Sequence, residues 1–134
     1  MKPEVGQKAR RSKTVTARDI ELYAEITDDR NPLHFDPDFA SRTRFGRLVA
    51  QGGITAGMLN ALVAMDLPGP GTVFMSQSLR YLAPTYPGDT LTAEVEVLAV
   101  KPDKPVCQLK ATITNQDGTV VLEGECWTYT LQLK

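Results

Sequence analysis

The sequence predicts an α+β protein, with helices in its first half and an antiparallel sheet in its second. Apolar residues recur at helical spacing between about residues 16 and 66. From about residue 72 the period drops to 2, as in strands with one buried face. The turns between those strands are short, which makes consecutive strands run antiparallel.

The elements follow in order. The start, "MKPEVGQKARRSKT", has basic residues but no apolar run behind them, so it is not expected to act as a secretory signal. "TARDIELYAEIT" pairs Thr16 with Asp19 three residues on, close to a capping box, and Ile20, Leu22, Tyr23 and Ile26 follow a helical repeat. This helix should stop before Pro32, because the residue before a proline disfavours helical angles. "DPDFASRT" reads as a short helix, with Asp36 as N-cap, Pro37 at the first position and Asp38 in the first turn. Residues 53–66, "GITAGMLNALVAMD", are apolar nearly all round and predict a buried helix. Gly53, Ala56 and Gly57 give it a side that another backbone can approach. Four strands then follow, in "TVFMSQSLRYLAP", "TLTAEVEVLAV", "VCQLKATITNQDG" and "VVLEGECWTYTLQL", separated by "TYPGD", "KPDKP" and "NQDGT". The sheet is expected to wrap the buried helix.

Composition narrows the function. A chain of 134 residues, 42% hydrophobic and 23% charged, is expected to form one domain over 1–134. Fifteen Lys and Arg against sixteen Asp and Glu leave a net charge of −1, which argues against a nucleic-acid partner. Local basic clusters can still hold a phosphate. No stretch reaches the roughly 18 to 20 apolar residues that span a bilayer. Cys107 and Cys126 form neither a disulfide framework nor a metal cluster, and read as buried reduced thiols. A soluble, cytoplasmic protein without a membrane partner is expected.

The chemistry concentrates in "ITDDRNPLHFDPDF", which holds four aspartates and the only histidine, His34. Asn31-Pro32 breaks the helix between Asp29 and His34, so the turn can fold both side chains toward a common point. A carboxylate beside an imidazole can share a water and move protons. The plainer reading makes Asp29 a turn cap and His34 a half-buried residue. A metal site through His34, Asp36 and Asp38 is disfavoured, since the two aspartates already have helix-starting roles. "QGG" at 51–53 puts free backbone N–H groups at the mouth of a helix, where they can stabilise an oxyanion or simply allow close packing.

These stretches resemble a known family. "ELYAEITDDRNPLHFDPDFA" followed by "RFGRLVAQGGITAGML", and later "SQSLRYLAPTYPGDTLTAEVEV" with its Pro-Gly-Asp turn, are similar to the MaoC-like (R)-specific enoyl-CoA hydratases, the hydratase-2 group of the hotdog fold. The likeness runs from about Val5 to Leu131. It implies a lyase of fatty acid metabolism that hydrates trans-2-enoyl-CoA to (3R)-3-hydroxyacyl-CoA. Asp29 and His34 would be the catalytic pair, and the Gly52 N–H the oxyanion hole for the thioester carbonyl. Asn31, Gln51, Gly53 and Asn60 would contact the substrate. A homodimer with joined sheets is implied, with CoA near the subunit boundary and no cofactor besides the thioester substrate. Two positions depart from the family: Gln51-Gly52 stands where His-Gly is frequent, and Asn60 where some members carry serine. Both bear on acyl-chain length and pocket shape. A hotdog acyl-CoA thioesterase and a non-catalytic acyl-thioester-binding subunit are the competing readings.

Overall fold

The structure, a computed structural model, describes residues 2–134. Nine elements run in the order β1 (Lys8–Thr14), α1 (Ala17–Thr27), α2 (Pro32–Phe35), α3 (Pro37–Ser41), α4 (Gly52–Met65), β2 (Thr72–Tyr81), β3 (Thr90–Val100), β4 (Val106–Thr114) and β5 (Val120–Thr130). The five strands make one antiparallel sheet in the order β1-β3-β4-β5-β2. The expected meander is β3-β4-β5. Residues 82–89 carry the chain from β2, at one edge, back to β3 beside the other.

Alternation along β3 puts Leu91, Ala93, Val95 and Val97 on the inner face, where they are fully buried. They meet Leu59, Leu62 and Val63 of α4, together with Leu109, Ile113 and Leu122 from β4 and β5. The sheet therefore closes over one side of the helix, and truncating Leu59 or Leu62 to Ala should cost about 2–5 kcal/mol. The helix begins one residue earlier than its apolar pattern suggests. In the single chain it is not covered all round: Gly52, Asn60 and Met65 are exposed.

β1 is an element that the sequence reading does not assign. Only Ala9 packs against the core; its neighbours are Lys and Arg, so no alternation announces the strand. Its register on β3 comes from polar cross-strand pairs: Arg10 with Glu94 at 3.4 Å, Ser12 with Thr92 at 2.8 Å and Thr14 with Thr90 at 2.7 Å. A charged edge strand also resists pairing with other chains.

The helices before α4 end and start where local chemistry dictates. Thr16 and Asp19 form a complete capping box, with N···O distances of 3.1 and 2.9 Å. α1 stops at Asp28, whose φ of 65° is left-handed and whose N–H donates to the Ala24 carbonyl. Asn31 accepts from the Leu33 N–H at 3.0 Å and starts α2, with Pro32 at its first position. Asp36 then caps α3 through the Phe39 N–H, as expected.

Candidate active site

The single turn of α2 aims His34 back at the end of α1. Its Nδ1 lies 2.7 Å from the Val49 carbonyl oxygen. A carbonyl can only accept, so Nδ1 carries a proton, and in a neutral ring Nε2 is then the acceptor. Nε2 faces Asp29 Oδ2 at 3.7 Å, too far for a direct hydrogen bond. Both atoms are acceptors in this state, and one oxygen placed about 2.8 Å from each can donate to both. The His34 side chain is 9% exposed and that of Asp29 39%, so the gap between them opens outward. Asp29 is held by its surroundings: its N–H donates to Thr27 Oγ1 at 3.1 Å, and its Oδ1 accepts from the Asn31 N–H at 3.3 Å. The turn uses one carboxylate oxygen of Asp29, Oδ1, and leaves the other, Oδ2, facing His34, so a turn cap does not by itself exclude an acid/base role.

Val49 also lines a cavity of about 240 Å³ that includes Gly52, Thr55, Tyr81 and Thr85. The His34 ring is therefore fastened to the wall of the space that holds Gly52. Gly52 is the first residue of α4, with Gln51 as N-cap. Its N–H and that of Gly53 meet no acceptor among the described residues, as expected for the first turn of a helix.

Two tyrosines sit against these glycines, and the sequence reading attached no role to either. A Cβ on Gly53 would fall 1.6 Å from the Tyr23 hydroxyl oxygen, and one on Gly52 would fall 2.9 Å from Tyr81 Cε1. With the two rings where they lie, neither position has room for a Cβ. Tyr81 is 57% exposed, and the partial burial of its ring, with the neighbouring Tyr23 as the lesser cause, raises its phenol above the ordinary pKa. Tyr23 lies on the helical repeat of α1, but nothing in the sequence says that its ring ends on Gly53, thirty residues away.

The remaining predicted positions are placed differently. Asn31 caps α2 with its side-chain oxygen, which commits that atom locally. Gln51 is 1% exposed, and its Nε2 donates to the Ile20 carbonyl at 3.0 Å, tying α4 to α1. Its Oε1 has no partner among the described residues. Asn60 lies on the open side of α4, about 12 Å along the helix from Gly52. Neither Gln51 nor Asn60 lines the cavity beside Gly52. Asp38 pairs with Arg42 at 3.3 Å, and no group of three metal-ligating residues occurs among the described residues. A larger cavity of about 560 Å³, between the 104–107 segment and Leu131–Leu133, contains neither carboxylate nor histidine.

Comparison with known proteins identifies the family and the fold. The family described as "MaoC like domain" matches residues 1–121. An (R)-specific enoyl-CoA hydratase from Aeromonas caviae is 43% identical over 122 residues, covering 91% of each chain. A mitochondrial 3-hydroxyacyl-[acyl-carrier-protein] dehydratase from Arabidopsis thaliana is 32% identical over 125 residues, covering 91% of this chain and 74% of its own. Among solved structures, the (R)-hydratase of A. caviae involved in PHA biosynthesis superposes with a TM-score of 0.92 at 40% identity, over 96% of this chain and 98% of that one. The sheet wrapped on α4 is thus the hotdog fold of the MaoC-like hydratases, and the chain belongs to the MaoC-like domain family.

Proposed function

We propose that the protein is an (R)-specific enoyl-CoA hydratase that adds water reversibly to trans-2-enoyl-CoA, giving (3R)-3-hydroxyacyl-CoA. It is an enzyme of the carbon–oxygen lyase class, in keeping with relatives named as hydratases and dehydratases. The observation that carries the proposal is the facing pair, His34 Nε2 and Asp29 Oδ2, 3.7 Å apart with the other ring nitrogen tied to Val49.

A water donating to both acceptors turns a lone pair outward, toward C3 of the enoyl group. As its oxygen bonds to C3, one water proton passes to the pair. The same pair returns a proton to C2 on the same face, so that H and OH are added overall. Negative charge gathers on the thioester oxygen in between, and the free Gly52 N–H at the positive end of α4 is suited to hold it. No cofactor is needed for this chemistry.

The site works as part of a homodimer in this reading. β2 is the sheet edge beside β5, with Val73 and Met75 exposed on it, and a second copy would cover that strand and the open side of α4. Light scattering at micromolar concentration should give twice the chain mass, and a fully active monomer would refute the assembly.

The decisive assay follows the loss of enoyl-thioester absorbance with crotonyl-CoA and octenoyl-CoA, with chiral analysis of the hydroxyacyl product. Release of free CoA thiol without hydration would instead indicate a thioesterase. Binding of the thioester with no turnover would indicate a non-catalytic subunit.

A further inference from the structure

The loop between α3 and α4 reads "RTRFGR" over residues 42–47, three arginines in six positions of a chain whose net charge is −1. Arg42 is paired with Asp38. Arg44 and Arg47 meet no carboxylate among the described residues; both lie on aromatic rings instead. The Arg47 guanidinium carbon is 3.7 Å from the centroid of Tyr86, and that of Arg44 is 5.9 Å from Phe45. Stacking covers the face of a guanidinium and leaves its in-plane N–H donors free for an oxyanion.

The platform beneath them is fixed. The buried Asp89 carboxylate accepts from the Tyr86 N–H at 2.9 Å and from Gln116 Nε2 at 3.0 Å. The Tyr86 hydroxyl donates to the Phe45 carbonyl at 3.4 Å. The Pro-Gly-Asp turn thus holds the tyrosine, and the tyrosine holds the arginine loop. Arginines held in place lose less freedom on binding than loose ones. Arg44 also lines the cavity that contains Gly52; it is exposed whereas Thr55 and Thr85 are buried, so it marks the open end.

We propose that Arg44 and Arg47 form a phosphate site for the carrier end of the thioester substrate. The inference rests on the hydratase reading, in which the acyl group enters toward Gly52 on a pantetheine arm. The far end of that arm bears a phosphate whether the carrier is CoA or an acyl carrier protein. A guanidinium pair at the open end of the cavity offers that shared group forked, charge-assisted hydrogen bonds.

Calorimetric titration tests this with free CoA, 4′-phosphopantetheine, pantetheine and holo-acyl carrier protein as probes. The double variant Arg44→Ala/Arg47→Ala should bind CoA and 4′-phosphopantetheine about 10- to 100-fold more weakly, with the difference between wild type and variant shrinking in high salt. Pantetheine, which lacks the phosphate, should not distinguish wild type from variant. Arg44→Ala alone, at an exposed side chain without a hydrogen bond, should show part of the loss even if the double variant folds poorly. Weakened holo-acyl carrier protein binding in place of weakened CoA binding would assign the carrier and uphold the site. Equal CoA, 4′-phosphopantetheine and carrier-protein affinities in wild type and variant would overturn it, as would wild-type protein that binds none of the three. Turnover of crotonyl-CoA by the wild type reports separately on the hydratase reading; its absence would sink that reading while the titrations still decide the phosphate site.

Discussion

His34 Nε2 faces Asp29 Oδ2 at 3.7 Å while Nδ1 is committed to the Val49 carbonyl at 2.7 Å. The backbone bond selects the tautomer, and the gap fits one shared water. If the two act on that water as a unit, removing either should lower kcat by at least about 10²-fold, and up to about 10⁴-fold. KM should move little. The double variant Asp29→Asn/His34→Ala should be scarcely worse than the poorer single one. Asp29→Asn keeps an oxygen for the Asn31 N–H, so its melting temperature should barely change. Near-wild-type turnover in Asp29→Asn would reduce this stretch to a turn.

Two glycines of α4 should respond to alanine with opposite signs. A Cβ on Gly57 meets nothing within 4 Å, so Gly57→Ala should stabilise the protein by about 0.5–1 kcal/mol through helix propensity. A Cβ on Gly53 collides with Tyr23, so Gly53→Ala should destabilise by about 1–3 kcal/mol. In a Tyr23→Ala background most of that penalty should vanish. Urea midpoints of the two singles and the Gly53/Tyr23 cycle measure this, and equal effects at both glycines would contradict the packing.

Cys107 and Cys126 are free and buried, and burial raises both thiols, that of Cys126 to about 11. Their thiolate fraction near neutral pH is therefore small. A disulfide reagent should modify both only as fast as the protein opens, and Cys107→Ser and Cys126→Ser should each retain turnover. Rapid labelling of the native protein, or inactivation of a folded serine variant, would disagree.

The start of α1 should make stability pH-dependent through Asp19. The Thr16 backbone N–H is the main cause that holds this carboxyl below its ordinary value of 3.8, with Lys13 adding to it. A lowered folded-state pKa contributes stability that is present above the unfolded value and is lost as pH falls through the folded one. Asp19→Asn should accordingly be less stable than wild type above about pH 4, and the two should converge in more acidic solution. Thr16→Ala, which removes the other half of the box, should cost about 1 kcal/mol. Thermal melts between pH 3 and 7 distinguish these outcomes.

Much of the fold was legible because its signals are local. The capping box at Thr16 and Asp19, the proline-started α3 and the period-2 strands from Thr72 onward each depend on residues a few positions apart. The same holds for the candidate pair: Asp29 and His34 are separated by one Asn-Pro turn, so their meeting could be read along the chain. β1 escaped because its partner β3 lies some eighty residues away and its own side chains are those of a charged edge.

Sequence by itself therefore determined α1, α3, α4 and their order, the meander and the residues that can carry acid/base chemistry. The single turn of α2 is legible in it only as a chain reversal at Asn31-Pro32. Tertiary structure decided how those residues are set to work. It pinned the His34 ring on Val49, laid Tyr23 and Tyr81 against Gly53 and Gly52, turned Gln51 inward onto Ile20, and stacked Arg47 on Tyr86. Each of these is a contact between elements distant in sequence. Hydrophobic periodicity says which face of a helix or strand turns inward, but it is non-directional and leaves open which side chain it meets there. Close packing makes that choice only once every element is in place.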